Sequence, residues 1–500
     1  MISAYLHSVS EVLAELHERG FYADCSALVT DHRRLTGPRD VFLAVPGHKF
    51  DPRNLADDLL SNQRCGLVLV DYDDQRAYQS ASVVPVMNLK GMLVDLASGY
   101  YKTASAEMTV IAVTGTNGKT TVTRWLAQAL NGLGQKAAVI GTLGYGEPDD
   151  LKAHTGLTTP DVVGVHHLLH VLRGQQFDTV CIEASSIGLD QCRLANVRID
   201  VAVFTNLSQD HLDYHGDMAA YARSKLILAN WPTLRFAVVN SDDPVGVQFK
   251  SVVEGRKVNC VAVGTDPAAA CQIVGASATN KGQRICLRYN DELAEIESPV
   301  IGRFNAENLA LVFATLSQLG HAPEKLLSAL DNVTPAPGRM QRIEGQPAVI
   351  VDYAHTPDAL EKTLKAIQPY ATQLKGKLWV VFGCGGDRDR AKRPIMGAVA
   401  LANSDRVVLT SDNPRSENAE DIIKEIQVGL DPALCSVVTI EPDRVQAIEF
   451  AIGNADPQDV VLLAGKGHEN TQTIGQQVIQ HSDAECAQAM LAKRGAPCLR

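Results

Sequence analysis

The sequence predicts an α/β protein of three domains, the middle one built on a parallel sheet and the last doubly wound and Rossmann-like. Three observations carry this expectation. The chain has 500 residues, roughly three times a typical ~150-residue domain. Its last third alternates short apolar runs (LWVVFG, RVVLT, DVVLLAG) with helical patterns such as AEDIIKEIQVGL, as strands buried on both faces and joined by crossover helices do. Two seams, YYKTASAE at 100–107 and TPAPGRM at 334–340, interrupt the periodicity and set the divisions 1–103, 104–336 and 337–500.

Composition narrows the class. Hydrophobic residues make up 45% and charged residues 21%, the balance of a globular protein. A net charge of -11 argues against general nucleic-acid binding, which needs clustered Lys and Arg. The 11 cysteines form no CxxC pair, so reduced thiols and a cytoplasmic location are expected. The first twenty residues read as an amphipathic helix ending at Gly20, not a signal peptide, and no apolar run reaches the ~18 residues that a membrane span needs.

In the middle segment MTVIAV runs into TGTNGKTT and then a helix with apolar Val122, Trp125, Leu126, Ala129, Leu130 and Leu133. Strand, glycine loop and helix in this order present free N–H groups to phosphate oxygens, so a nucleotide-binding domain of the P-loop type is expected. Gly115, Thr116, Asn117, Gly118 and Thr121 form the cradle, Lys119 reaches the terminal phosphates and Thr120 offers its hydroxyl to Mg²⁺. The spacing departs from GxxxxGK[ST], since Val stands at position 113. A guanine-nucleotide switch would add an NKxD base reader, and none is found; HExxH fails at GKGHENTQ because Gln472 replaces the second histidine.

Glu183 ends the apolar stretch DTVCIE and suits a hard cation, while Asp210, His211, Asp213 and His215 cluster in DHLDYHG; the two histidines read equally well as surface residues. In the last segment SDNPR delivers Asp412, Asn413, Pro414 and Arg415 to the end of a strand, and GDRD and GKGHE stand at two others. Ligands of open parallel sheets collect beyond such ends, and a guanidinium grips a carboxylate with two parallel hydrogen bonds.

TGTNGKTT, EASS, DHLDYHG, FNAEN, PGRMQRI, DYAHTPD, GDRD, SDNPR and GKGHE, in this order, resemble the Mur ligases over nearly the whole chain. The resemblance implies an enzyme that uses ATP and Mg²⁺ to form an amide through an acyl phosphate. The arginine of SDNPR favours the branch that adds meso-diaminopimelate to the UDP-N-acetylmuramoyl dipeptide in peptidoglycan synthesis. Lysine carries one carboxylate fewer, and lysine-adding relatives typically lack this arginine. The resemblance further implies catalytic roles for Lys119, Glu183, His211 and Lys225, with Thr120, Glu183, His211 and a carbamylated Lys225 toward metal. Asn305 and Asn308 would face adenine, and Arg339, Asp352 and His355 would serve ATP. Thr158, Thr159, Ser185, Gln191 and Arg193 match positions that hold the muramoyl peptide; Gly47, His48, Lys49 and Phe50 match a uridine-side loop, and in a separate stretch on that side, Asp31, His32 and Arg33, His32 stands in place of the usual serine. Arg388, Asp412, Asn413, Pro414, Arg415, Gly465 and Glu469 would take diaminopimelate. The implied enzyme is a cytoplasmic monomer with no nucleic-acid partner and no membrane insertion. The alternatives are a lysine-adding ligase, a folylpolyglutamate synthetase and a noncatalytic nucleotide-dependent scaffold.

Overall fold

A computed structural model describes residues 5–47, 50–73, 76–152, 156–279 and 282–495. The chain divides into two compact units, Met1–Cys271 with Leu311–Ala322, and Gln272–Ala310 with Pro323–Arg500.

The first unit holds two sheets. Strands β1 (Leu28–Val29), β2 (Val41–Ala44), β3 (Leu67–Asp71) and β4 (Val83–Val86) pair in parallel in that order. β2 buries all four of its side chains, so it reads as a continuous apolar run rather than an alternating one. The expected N-terminal helix spans Val9–Glu18, with Ser8 capping it by accepting from Glu11 N–H.

The second sheet of this unit follows the predicted strand, loop and helix. β5 (Thr109–Thr114) lies at its centre, flanked by β9 (Thr179–Glu183) and β10 (Val201–Phe204). β6 (Ala137–Gly141) extends the parallel pairing beyond β9, and β11 (Phe236–Asn240) and β12 (Asn259–Gly264) extend it beyond β10. The short strands β7 (Gly144–Glu147) and β8 (Asp150–Lys152) close the far edge in antiparallel pairing. The helix Lys119–Gly132 buries Val122, Trp125, Leu126, Ala129 and Leu130, the spacing read from the sequence.

In the second unit β13 (Cys271–Thr279), β14 (Gly282–Tyr289) and β15 (Glu292–Ser298) are neighbours, the last two antiparallel. The doubly wound sheet comprises β16 (Gln341–Ile343), β17 (Ala348–Asp352), β18 (Leu378–Phe382), β19 (Arg406–Leu409), β20 (Val438–Ile440) and β21 (Val460–Ala464), in the order β16-β17-β21-β18-β19-β20. All pairs are parallel except β16 with β17. Alternate residues feed two separate cores: Ile350, Val380 and Leu462 pack on one face, and Val349, Val351, Val381 and Leu463 on the other. Helices on both faces explain why these strands carry no polar alternation. A hairpin of β22 (Thr471–Ile474) and β23 (Gln477–Gln480) follows β21.

Candidate active site

The phosphate loop is built as its glycines require. Gly115 has φ +149°, and a Cβ there would fall 1.8 Å from Thr205 Oγ1. Gly118, at φ +87°, begins the helix with no side-chain cap, leaving the first-turn N–H groups for an anion. Thr116 N–H and Asn117 N–H donate to Asn206 O (2.8 Å) and Oδ1 (3.0 Å), tying the loop to the segment after β10. Lys119 Nζ donates to the carbonyls of Gly115 and Thr116, each at 2.9 Å. Thr121 is buried against the sheet.

Lys225, 1% exposed, donates from Nζ to the same Gly115 carbonyl at 2.7 Å and lies 4.5 Å from the Tyr221 ring centroid. Burial first, and then the charge of Lys119, hold its amine well below the ordinary lysine range. Tyr221, whose hydroxyl is 3.1 Å from Thr116 Oγ1, was not singled out by the sequence.

Glu183 is 2% exposed at the end of β9. Its two carboxylate oxygens each accept from Thr120 Oγ1 at 3.0 Å, and Oε1 accepts from Thr142 N–H at 2.9 Å. Thr142 Oγ1 completes the group, 3.2 Å from Glu183 Oε2 and 3.1 Å from Thr158 Oγ1. Thr120 and Glu183 line a pocket shared with Thr123, Arg124, Gly141 and Leu143. A hydroxyl and one carboxylate suit Mg²⁺, which keeps waters and takes its remaining oxygens from phosphates. His211 instead meets Asp210 (Nε2 to Oδ2, 3.5 Å) and the edge of Tyr221. Among the described residues no three His, Cys, Asp or Glu side chains converge as a metal site.

Of the expected peptide-binding residues, Thr159 is fully buried and donates to Glu183 O (2.7 Å), while Ser185 N–H donates to Thr159 Oγ1 (2.9 Å). The Ser185 side chain caps the short helix Ser186–Asp190. Both therefore brace the end of β9. Arg193 donates to Thr159 O and Gln191 Oε1, each at 2.7 Å, leaving Gln191 exposed beside Tyr214. Among the residues expected to serve uridine, the rings of His32 and Phe50 stand 5.7 Å apart, and Gly47 N–H donates to Phe50 O. His48 and Lys49 lie outside the described residues.

In the second unit Asn305 and Asn308 are buried on the helix Arg303–Gln318, Asn305 donating from Nδ2 to Ile301 O. Asp352 ends β17 and accepts from Met340 N–H (2.8 Å), Ala354 N–H (2.9 Å) and Thr363 Oγ1 (3.2 Å). It thereby fixes the PGRM turn that carries Arg339, whose guanidinium stacks 4.6 Å from the Tyr353 ring centroid. His355 Nδ1–H donates to Tyr353 O.

The three expected strand-end loops meet. Gly386 N–H donates to Asn413 O (2.9 Å), and Arg415 Nη1 donates to Gly386 O (2.8 Å). A Cβ on Gly385 would lie 2.9 Å from Arg415 Nη1 and 3.5 Å from Arg388 Cγ, so the two arginines flank one glycine. Asn413 Nδ2 donates to Glu469 Oε2 at 2.8 Å, and Gly465, at φ +109°, sits against Asp412. Pro414 is buried. Lys466, which sequence reasoning passed over, is fully buried and bridges Asn413 Oδ1 (3.2 Å) and Glu469 Oε2 (3.0 Å). The backbone of Arg415 has φ +52°; its N–H donates to Thr473 O and its carbonyl accepts from Gly475 N–H.

The Mur ligase middle domain matches residues 113–316, and the Mur ligase glutamate ligase domain matches 338–467. The chain is 41% identical to the UDP-N-acetylmuramoyl-L-alanyl-D-glutamate--2,6-diaminopimelate ligase of Acidovorax sp. (strain JS42), over 94% of this chain and 95% of that protein. It is 44% identical to the ligase of the same name from Ralstonia nicotianae, over 83% and 82%. A solved structure of a ligase of that name superposes with TM-score 0.67 at 32% identity, covering 94% of this chain and 95% of the other. A glycine loop running into an uncapped helix, three loops joined at the sheet's carboxyl edge and full-length relatives agree: this chain belongs to the Mur ligase family.

Proposed function

We propose that the protein adds meso-2,6-diaminopimelate to UDP-N-acetylmuramoyl-L-alanyl-D-glutamate, consuming ATP, in the cytoplasm and as a monomer of three functional domains, 1–103, 104–336 and 337–500. The observation that carries the choice of amine is Arg415, whose guanidinium stands with Arg388 about Gly385 at the rim of the doubly wound sheet. Two cations answer an amino acid with an additional carboxylate, and lysine would leave one of them without a carboxylate to pair with. Asn413, Glu469 and Lys466 supply a polar frame for the amine and carboxylate of the incoming residue.

A carboxylate is a poor acyl donor because oxide is a poor leaving group. Transfer of the γ-phosphoryl from ATP to the glutamyl carboxylate gives an acyl phosphate and ADP; attack by the free amine then releases phosphate and a proton and leaves the amide. The loop N–H groups and Lys119 hold phosphate oxygens, while Thr120 and Glu183 would hold Mg²⁺, which supplies positive charge to the transferring group. His211 would assist at the metal. Lys225 is proposed to be carbamylated: burial and the charge of Lys119 disfavour its protonated form, and the free amine adds to carbon dioxide with loss of a proton, placing an oxygen donor beside Lys119. Asn305, Asn308, Arg339, Asp352 and His355 are proposed to serve ATP, Asp352 by fixing the turn that carries Arg339.

The test is competition. Purified protein is offered lysine and diaminopimelate together with ATP and the muramoyl dipeptide, and the product mass is read. Diaminopimelate product, with phosphate release that requires both dipeptide and amine, is expected. Lysine product would replace this reading with that of a lysine-adding ligase.

A further inference from the structure

The two loops that carry Arg388 and Arg415 are bound to each other through a guanidinium that faces neither solvent nor site. Arg393, in the first turn of the helix Lys392–Asn403, has a fully buried side chain. It forks onto Glu417, with Nη1 to Oε2 and Nη2 to Oε1 both 2.8 Å, and Nη1 also donates to Glu425 Oε2 at 2.8 Å. Its Nη2 donates to the carbonyl of Gly385 at 3.2 Å. The neighbouring carbonyl, that of Gly386, is the one that accepts from Arg415. Glu417 in turn accepts from Asp387 N–H at 2.6 Å, and Ser416 donates from Oγ to Asp387 Oδ1 at 2.6 Å and from N–H to Oδ2 at 3.2 Å.

The loop after β18 and the loop after β19 therefore share one clamp, with Arg393 at its centre and Glu417 carrying the load from one loop to the other. We infer that Arg393 and Glu417 are positioning residues for amine selection: they set the spacing between Arg388 and Arg415 that fits the second carboxylate of the amino acid. This rests on the proposed diaminopimelate reading. The chemistry favours a fork over a point charge, because only a planar guanidinium can hold both oxygens of Glu417 while reaching Glu425 and a carbonyl. Removing it leaves Glu417 without its guanidinium and Glu425 with Arg390 alone, and it loosens the join between the two loops.

The experiment uses the full-length protein with Arg393→Lys and Glu417→Gln, each assayed with diaminopimelate and with lysine. Arg393→Lys is expected to raise KM for diaminopimelate roughly ten- to hundredfold, since small misplacements of binding groups cost that much. The ratio of kcat/KM for diaminopimelate over lysine is expected to fall in step, with KM for ATP and for the muramoyl dipeptide unmoved. Loss of stability alone would not change this ratio. Should Arg393→Lys not yield folded protein, Glu417→Gln, which keeps shape and loses charge, carries the test through the same ratio. A wild type that prefers diaminopimelate, together with variants whose ratio is unchanged, overturns the inference. A wild type that prefers lysine overturns the substrate reading instead.

Discussion

At the scale of single residues, the chemistry concentrates in two cations that the fold handles in opposite ways. Lys225 is buried, and burial with the charge of Lys119 disfavours its protonated form, which favours the proposed reaction with carbon dioxide; Arg415 is half-buried at the rim proposed to meet an anion. Lys225→Ala is expected to lower turnover by roughly a hundredfold or more, the scale at which charge stabilisation of a transferring group acts. Formate or acetate, standing in for the carbamate, is expected to restore part of it. Steady-state rates across a titration of the acid decide the matter, and a flat response counts against carbamylation. Arg415→Ala is expected to weaken diaminopimelate by about 2 kcal/mol or more, roughly thirtyfold in KM, with ATP affinity by calorimetry intact. Unchanged amine kinetics would remove Arg415 from its role.

At the scale of elements, the site is a set of loops at the carboxyl ends of parallel strands, and their mutual contacts matter as much as their side chains. Gly386 shows this. A Cβ there would lie 1.8 Å from the carbonyl oxygen of Pro414, a backbone atom that can yield only if the loop after β19 shifts. Gly386→Ala is therefore expected to raise KM for diaminopimelate roughly tenfold or more while leaving KM for ATP in place, read from the same steady-state assay. Such contacts mark the limit of what the sequence discloses. The strands were legible because those buried on both faces read as unbroken apolar runs, and the phosphate loop because its glycines stand between a strand and a periodic helix. Arg393 and Glu417, 24 residues apart on separate elements, follow no period, and neither does the pairing of Thr142 with Glu183 across 41 positions. Lys466 lay inside a motif already singled out, GKGHE, and its bridge to Asn413 depends on two strand ends being neighbours. Thr159 carried a family signal, yet in the structure it braces the strand end that holds Glu183.

At the scale of the molecule, the sheets predicted from length and periodicity are present, the last with helices feeding a core on each face. Its carboxyl edge is anchored from beneath by Arg444, which donates to Ser411 O (3.2 Å) and Ala464 O (2.9 Å), the residues from which SDNPR and GKGHE depart. Arg444 also pairs with Asp483 at 2.6 Å, both side chains fully buried, and His481 Nε2 stands 2.7 Å from the same carboxylate. Asp483→Ala leaves that guanidinium uncompensated and is expected to cost about 3–5 kcal/mol in urea unfolding. The pair also sets an acid limit. Burial works to raise the Asp483 carboxyl, but Arg444 and His481 outweigh it and hold the group well below the ordinary carboxylate range. A depressed group contributes stability that is complete above the unfolded value of about 3.9 and disappears as pH falls toward the folded one. Unfolding curves from pH 6 down to pH 3 are expected to show this loss in the wild type and a smaller one in Asp483→Asn.

The left-handed backbone of Arg415, stitched on both sides to the β22–β23 hairpin, bears on how tightly the amine is held over time. Its backbone is set during folding and Nη1 is held by the Gly386 carbonyl, so less entropy is surrendered to aim it at each encounter. Discrimination between competing amines should consequently appear in how long the correct one stays rather than in how fast it arrives.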